Sequence, residues 1–142
     1  MSAPTKPLAL LLAIASLALG LIGCGTTTTS TNNFKGEEHE VAQAVANLQS
    51  DARSSEQTKL CSNDLAGPVV ARLNATPGGC TQALKNQLSE IDNFEATVES
   101  VQITAPHRTA TAHVKSIYNG KNGIRTVSLV YEGGKWKVLS VA

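Results

Sequence analysis

Residues 94–142 read FEATVESVQITAPHRTATAHVKSIYNGKNGIRTVSLVYEGGKWKVLSVA, and this stretch decides the fold. Polar and apolar residues alternate along it, most regularly from Thr109 to Tyr118, as is typical of strands with one buried face. Turn-forming residues interrupt the alternation at 105–108, 119–123 and 132–135. The pattern therefore predicts an antiparallel meander of four strands joined by hairpins, at 95–104, 109–118, 124–131 and 136–141.

The first strand changes parity part of the way along. Phe94, Ala96 and Val98 share one parity, whereas Val101 and Ile103 have the other. One extra residue in the strand would place both sets on the same face, so we expect a β-bulge near residues 99–100.

Helical spacing precedes the strands. The apolar positions Val41, Val45, Leu48 and Ala52 lie three or four residues apart, which predicts a helix over 37–54. We expect a short helix around 56–60, a helix over 65–73 capped by Asn63 or Asp64, and a helix from Thr81 through Ile91. Helices followed by hairpin-connected strands indicate a single α+β domain over 36–142.

The N-terminal segment has the features of an export signal. Lys6 precedes an apolar run from Leu8 to Ile22, which as a helix would span about 22 Å. That length is short of the roughly 30 Å core of a bilayer and suits the apolar region of a signal peptide. We therefore expect residues 1–23 to be a signal peptide.

The end of this run, Leu21-Ile22-Gly23-Cys24, resembles the lipobox of bacterial lipoproteins. The resemblance implies that Cys24 is lipidated and becomes the mature N-terminus, and that the protein is anchored to the extracytoplasmic face of the cell membrane. Residues 24–35 then form a Thr- and Ser-rich tether. An uncleaved anchor and a buried, unmodified Cys24 remain alternatives.

Charge excludes one class of partner. The 142 residues carry 12 Lys and Arg against 11 Asp and Glu, a net charge of +1. A nucleic-acid binder would show a basic stripe, so we expect no nucleic-acid partner.

Two cysteines remain if Cys24 carries a lipid. Cys61 and Cys80 are an even pair in an exported domain, and we expect them to form a disulfide. Two buried free thiols are the alternative.

The chain resembles the cystatin-like, nuclear transport factor two-like superfamily. The resemblance rests on helices that lead into a long meander and on the closing sequence Gly-Gly-Lys-Trp-Lys-Val at 133–138. The resemblance implies a curved sheet folded around a helix as a cone, and small exported lipoproteins of actinobacterial type look similar. Enzymes of this fold, such as isomerases and dehydratases, place Asp, His or Tyr inside the cone. No motif of this chain carries those roles over.

Residues that could perform chemistry are few. His39, His107 and His113 lack the spacing of metal ligands, and no nucleophile motif is present. We therefore predict no catalytic residue, no metal and no cofactor.

The residues that should fill the interior of the cone can be predicted from the strand period of two and the helix period of 3.6. The inward strand residues should pack against Val41, Val45 and Leu48 and enclose an apolar core or a small pocket without ionisable side chains. Tyr118 is a further candidate for lining a cavity. The expected core or pocket positions are Val114, Val127, Leu129, Tyr131, Trp136 and Val138.

Two function classes remain. The first is a non-enzymatic binding or envelope-assembly module whose partners are the membrane, a small apolar ligand or an envelope protein, with a homodimer through the sheet left open. The second is a small isomerase, dehydratase or hydrolase of the same fold. A polar pair projecting into a deep pocket would favour the enzyme.

Overall fold

The computed structural model describes residues 31–106 and 108–142. Helices come first: α1 Gly36–Arg53, α2 Gln57–Lys59, α3 Gly67–Asn74 and α4 Gly79–Leu88, with a π-helical segment, Leu60–Asp64, between α2 and α3. Strands follow: β1 Phe94–Thr104, β2 Thr109–Tyr118, β3 Lys121–Glu132 and β4 Lys135–Val141. The α+β class predicted from the sequence is confirmed.

The four strands form one antiparallel sheet in the order β1-β2-β3-β4, the expected meander. The register of β1 on β2 shifts between Val98 and Ser100, which confirms the predicted bulge. A second shift, at which Leu139 of β4 is the extra residue opposite Ser128 and Leu129 of β3, was not predicted. Bulges bend strands and increase their twist, so the two irregularities add to the curvature of the sheet.

The β2–β3 turn is tighter than the sequence predicted. Asn119 and Gly120 both have positive φ, 47° and 76°, so they form a two-residue turn and β3 begins at Lys121 rather than Ile124. Such a left-handed pair matches the twist of a hairpin, and asparagine and glycine tolerate it best. The Asn119 side chain also accepts a hydrogen bond from the Asp92 N–H, 2.9 Å away.

The apolar face of α1 packs against the inner face of the sheet. Val41 and Val45 are buried together with Val114 and Leu129. Gln49 is the buried polar residue of this helix, and its side-chain oxygen accepts a hydrogen bond from the Ala96 N–H of edge strand β1, 3.1 Å away. The helix lies within one residue of its predicted bounds.

The prediction for the start of α3 was wrong. Neither Asn63 nor Asp64 caps this helix; Ala66 precedes it in extended conformation, and Pro68 lies in its first turn. A contact between distant parts of the chain explains the difference. Leu65 forms a parallel bridge with Val138, and the Ala66 N–H donates to the Val138 carbonyl at 2.8 Å, so the chain stays extended along β4.

The start of α4 also differs from the prediction. It begins at Gly79 after Gly78, which has a left-handed φ of 84°, and Thr81 is not its cap. The Asn74 side chain accepts a hydrogen bond from the Cys80 N–H at 3.0 Å and takes the place of a cap. The helix ends at Leu88 rather than at Ile91.

A disulfide joins Cys61 of the π-helical segment to Cys80 of α4, with Cα atoms 6.2 Å apart. This is the pairing expected from the sequence. The bond connects the π-helical segment, which ends at Asp64, to α4.

The predicted signal peptide at 1–23, Cys24 and His107 lie outside the described residues. Thr31 is buried, and its carbonyl accepts a hydrogen bond from His39 Nδ1 at 3.0 Å, while Phe34 packs against the core. The part of the predicted tether that the structure describes therefore lies against α1. No helix within residues 31–106 and 108–142 is long and apolar enough to cross a membrane.

Candidate functional site

The first of two concavities beside α1 lies between the inner face of the sheet and helices α1 and α4. We call it the open-end cavity, and it has a volume of about 440 Å³. Its walls are mostly aliphatic and aromatic. They include Leu48, Leu84, Leu88, Phe94, Tyr118 and Arg125.

The register of the strands places Arg125 in this cavity. Arg125 pairs with Val114 and alternates with the buried Val127 and Leu129, so it belongs to the inner face of β3. From the sequence we expected no ionisable side chain on that face, and this expectation was wrong. The alternation of side chains along β3 already predicts the position of Arg125, because Arg125 is two residues before Val127 and therefore lies on the same face.

A smaller polar recess adjoins the open-end cavity. It has a volume of about 420 Å³ and shares Leu88 and Phe94 with the cavity. Arg53, Asp92 and Glu95 line it. The apolar cavity therefore lies next to charged groups at the helix-to-strand junction.

The second concavity lies on the other side of α1, against the turn between β3 and β4. We call it the hairpin groove, and its volume is about 510 Å³. Gln43, Asn47 and Asp51 line it from α1, one turn apart from each other. The π-helical segment contributes Asp64, and the hairpin contributes Trp136.

Asp64 is the buried acid of this groove, with 7% of its surface exposed. Burial, a side-chain hydrogen bond with Asp51 and the negative charge of Asp51 raise the pKa of Asp64 from its ordinary 3.8 to about 7, against the opposing charges of Lys135 and Lys137. Two carboxyl groups form a hydrogen bond when one of them carries a proton. The pair thus holds a proton near neutral pH.

Trp136 lies beside this pair and is 4% exposed. Its ring meets Tyr131 edge to face, with centroids 5.4 Å apart, and the Arg108 guanidinium covers the Tyr131 ring at 3.7 Å. Among the described residues, Nε1 of Trp136 has no hydrogen-bond partner, and Oδ2 of Asp64 has none apart from Asp51.

Hydrogen bonds hold the polar walls of the groove in place. Gln43 donates to Asn47 across one turn of α1 at 3.0 Å, and Lys135 Nζ donates to Asn63 Oδ1 at 3.3 Å. Lys137 Nζ donates to the Ser62 carbonyl at 3.2 Å. Strand β4 is therefore fastened to the π-helical segment on both sides of Trp136.

The residues singled out from the sequence fall into three groups, and Tyr118 lines the open-end cavity. Tyr131 and Trp136 line the hairpin groove. The other expected core or pocket residues lie buried on the inner face of the sheet: Val114, Val127, Leu129 and Val138.

The Asp51–Asp64 pair was not predicted from the sequence. Asp51 shares a helix face with Gln43 and Asn47, and that spacing was visible. Asp64 could not be found in this way, because its burial depends on the contact of the following residue with β4.

The two described histidines, His39 and His113, do not form an acid–base pair in either concavity. His39 lies on the rim of the groove and donates to the Thr31 carbonyl, and His113 faces Thr126 on the outer side of the sheet at 3.5 Å. Within the described part of the chain, no group of three or more His, Cys, Asp or Glu side chains could hold a metal ion.

Comparison with known proteins gives one structural similarity. No family model matches the chain, and no curated protein matches it. The chain is similar to the solved structure of an NTF2-like designed protein, a variant named Rd1NTF2_05, at 16% identity and a TM-score of 0.45. The similarity covers 71% of this chain and 93% of the designed protein.

Proposed function

We propose that this protein is a lipid-anchored, extracytoplasmic binding module whose open-end cavity holds a small ligand with an apolar body and an acidic group. The observation that carries the proposal is an arginine in a cavity whose walls are mostly apolar. The cavity's volume of about 440 Å³ falls within the usual range of small-molecule sites.

The apolar walls provide the affinity. Each methylene group that a ligand buries contributes about 0.8 kcal/mol, so a chain of six gains about 5 kcal/mol before the cost of immobilisation. Leu84 is buried and Leu88 half-buried, and both lie on α4, which the disulfide holds in place. A pre-formed wall of this kind reduces the ordering cost of binding.

Arg125 provides the selectivity for an acid. Its guanidinium can donate two parallel hydrogen bonds to a carboxylate or a phosphate. No ion pair or hydrogen bond occupies the Arg125 side chain among residues 31–106 and 108–142. The guanidinium is therefore available to the acidic group of a ligand.

A binding role fits this cavity better than catalysis. General acid–base catalysis needs a pair of groups that exchange a proton with the substrate. The described residues that line the open-end cavity include neither a carboxylate nor a histidine. Among the described lining residues, Tyr118 is of a type that enzymes of this fold use, and it stands there without a second acid–base group.

The anchoring half of the proposal rests on the apolar run Leu8 to Ile22 and on the lipobox-like sequence that ends at Cys24. The Cys61–Cys80 disulfide supports it, because such bonds persist in oxidising compartments. Replacing Cys24 with Ser should release the domain or leave an uncleaved precursor. Cleavage elsewhere, with no acyl mass on Cys24, would show that the protein is not a lipoprotein.

Calorimetric titration with decanoic acid and with decanol tests the ligand proposal. Decanoic acid should bind more tightly, and Arg125→Gln should weaken its binding about tenfold or more through loss of a charged hydrogen bond. The control Arg72→Gln removes the same charge from the exposed face of α3 and should leave binding unchanged. Equal binding of acid and alcohol, or a wild-type affinity in Arg125→Gln, would contradict the proposal.

A further inference from the structure

The open-end cavity has its mouth at one end of the sheet, and the exposure of residues along the strands shows which end this is. On β2, Tyr118 is 41% exposed, whereas Ser116, two residues further from the strand's end, is 3% exposed. On β4, Val141 is exposed and Val138 is buried. Both Tyr118 and Val141 line the cavity, so its mouth lies at the end of the sheet where β2 and β4 finish.

Arg125 belongs to this mouth. Its side chain is exposed, whereas Val127 and Leu129, the next residues on the same face of β3, are buried. Among the described residues that line the cavity, Arg125 is the one charged side chain. A charged group loses much of its solvation inside an apolar cavity, so an acid paired with Arg125 is best placed where water still reaches both.

The deep end of the cavity is closed by two leucines, Leu65 and Leu84, which we call the floor. Both line the cavity and each is 9% exposed. Leu65 is held by its bridge to Val138, and Leu84 lies one helical turn after Cys80, which the disulfide holds. The floor is therefore apolar and fixed in place.

The strand register gives the distance from the mouth to the floor. Leu65 bridges Val138, and Val138 pairs with Leu129, four residues beyond Arg125 on β3. At about 3.3 Å per residue, the backbone positions of Arg125 and Leu129 are about 13 Å apart along the strand. An extended decanoic acid molecule is of this length.

The uncharged polar groups in the cavity wall lie away from the floor. Ser116 pairs with Gly123, which is nearer the mouth than Arg125, and its hydroxyl donates to the Gly123 carbonyl at 3.3 Å. Tyr118 is at the mouth itself, and the side chain of Gln87 belongs to an exposed residue. A polar group pushed against the floor would therefore lose its water without gaining a partner there.

We infer that the ligand of the open-end cavity is a single-chain acid that binds chain first, with its acidic group at the mouth beside Arg125 and its terminal methyl group against the floor. This inference rests on the proposed function and specifies which acids the cavity accepts. The acidic head group projects towards solvent, so a larger head is tolerated. The far end of the chain is enclosed, so it must be apolar.

Calorimetric titration of the wild-type protein with acids that differ at one end tests this orientation. Decanoic acid and decyl phosphate share the chain and differ in the size of the acidic head, so both should bind, within a few-fold of each other. Decanedioic acid and 10-hydroxydecanoic acid carry a polar group at the far end. They should bind about tenfold or more weakly than decanoic acid, because that group would be buried without a partner.

A substitution in the floor tests which residues limit the chain. Leu84→Phe fills the deep end, so it should weaken the binding of decanoic acid about tenfold and shift the preference towards octanoic acid. The matched control Leu84→Met keeps the volume of the side chain and should retain the preference of the wild type. The titrations of the wild type test the orientation on their own if Leu84→Phe does not fold.

The outcomes separate this inference from the proposed function. Equal binding of decanoic and decanedioic acids, with both weakened in Arg125→Gln, would overturn the orientation and leave the proposed function intact. Binding of decanoic acid without decyl phosphate would show an enclosed head group and would also overturn it, as would an unchanged chain-length preference in a folded Leu84→Phe. No binding by any of the acids would overturn both.

Discussion

Asp64 shows how the surroundings of a residue determine its role. Next to an apolar run, an aspartate is a good helix cap, and the sequence predicted that role for Asn63 or Asp64. The structure instead buries Asp64 beside Asp51 and Trp136. The change arises because Leu65 pairs with Val138, a contact between distant residues that local sequence patterns do not contain.

The raised pKa of Asp64 predicts how stability depends on pH. The folded state holds the proton up to about pH 7, whereas the unfolded chain releases it near 3.8, so the folded state binds more protons in between. The free energy of unfolding should therefore fall as pH rises from 4 to 7, by roughly 2 to 4 kcal/mol for a shift of this size.

Urea unfolding at several pH values measures this effect. Asp64→Asn should flatten the dependence between pH 4 and 7, and the control Asp92→Asn, with the exposed Asp92 replaced, should retain it. A slope that is the same in Asp64→Asn and in the wild type would show that Asp64 does not hold the proton.

The burial of Trp136 predicts a large loss of stability when its side chain is truncated. Its side chain is buried in the core against Tyr131, so Trp136→Ala should cost about 3–5 kcal/mol of unfolding free energy. Trp136→Phe should lose less, because it keeps an aromatic ring against Tyr131. Urea denaturation measures both, and a loss below about 1 kcal/mol in the alanine variant would rule out Trp136 as a core residue.

Among the elements, the strands were the easiest to predict. Alternation along β2 and the Asn119-Gly120 turn are local signals, and β2 has the bounds that the sequence predicted. The short helices were harder, because their ends depend on tertiary contacts. The cap of α4 is the Asn74 side chain, which the chain brings back from the end of α3.

The candidate sites were less predictable than the strands. Arg125 follows from the same alternation that gives Val127 and Leu129, so its position could have been found from the sequence. The Asp51–Asp64 pair joins α1 to the π-helical segment, and no periodicity connects these two elements.

The disulfide between the π-helical segment and α4 leads to a prediction about the stability of the fold. Cys61 and Cys80 are 19 residues apart, and closing a loop of this length stabilises the folded state by about 3 kcal/mol in the chain-entropy model. The double variant Cys61→Ser, Cys80→Ser should lose about that much in urea denaturation. Thiol labelling of the denatured, non-reduced protein should leave both cysteines unmodified; full labelling would contradict the pairing.

At the scale of the whole molecule, the two faces of the sheet differ. The inner face packs on α1, whereas the outer face presents polar side chains, among them Thr111, His113 and Lys115. A homodimer through the outer face stays a prediction, and sedimentation of the purified protein measures it. Such a dimer would have to pair mainly polar surfaces.

The central claim about the molecule is that the space between the sheet, α1 and α4 is a ligand site. Nuclear Overhauser effects between decanoic acid and the methyl groups of the labelled protein test this claim most directly. The alkyl chain should give signals to Leu48, Leu84 and Leu88, which line the open-end cavity. Signals confined to other methyl groups, or none from bound decanoic acid, would contradict the claim.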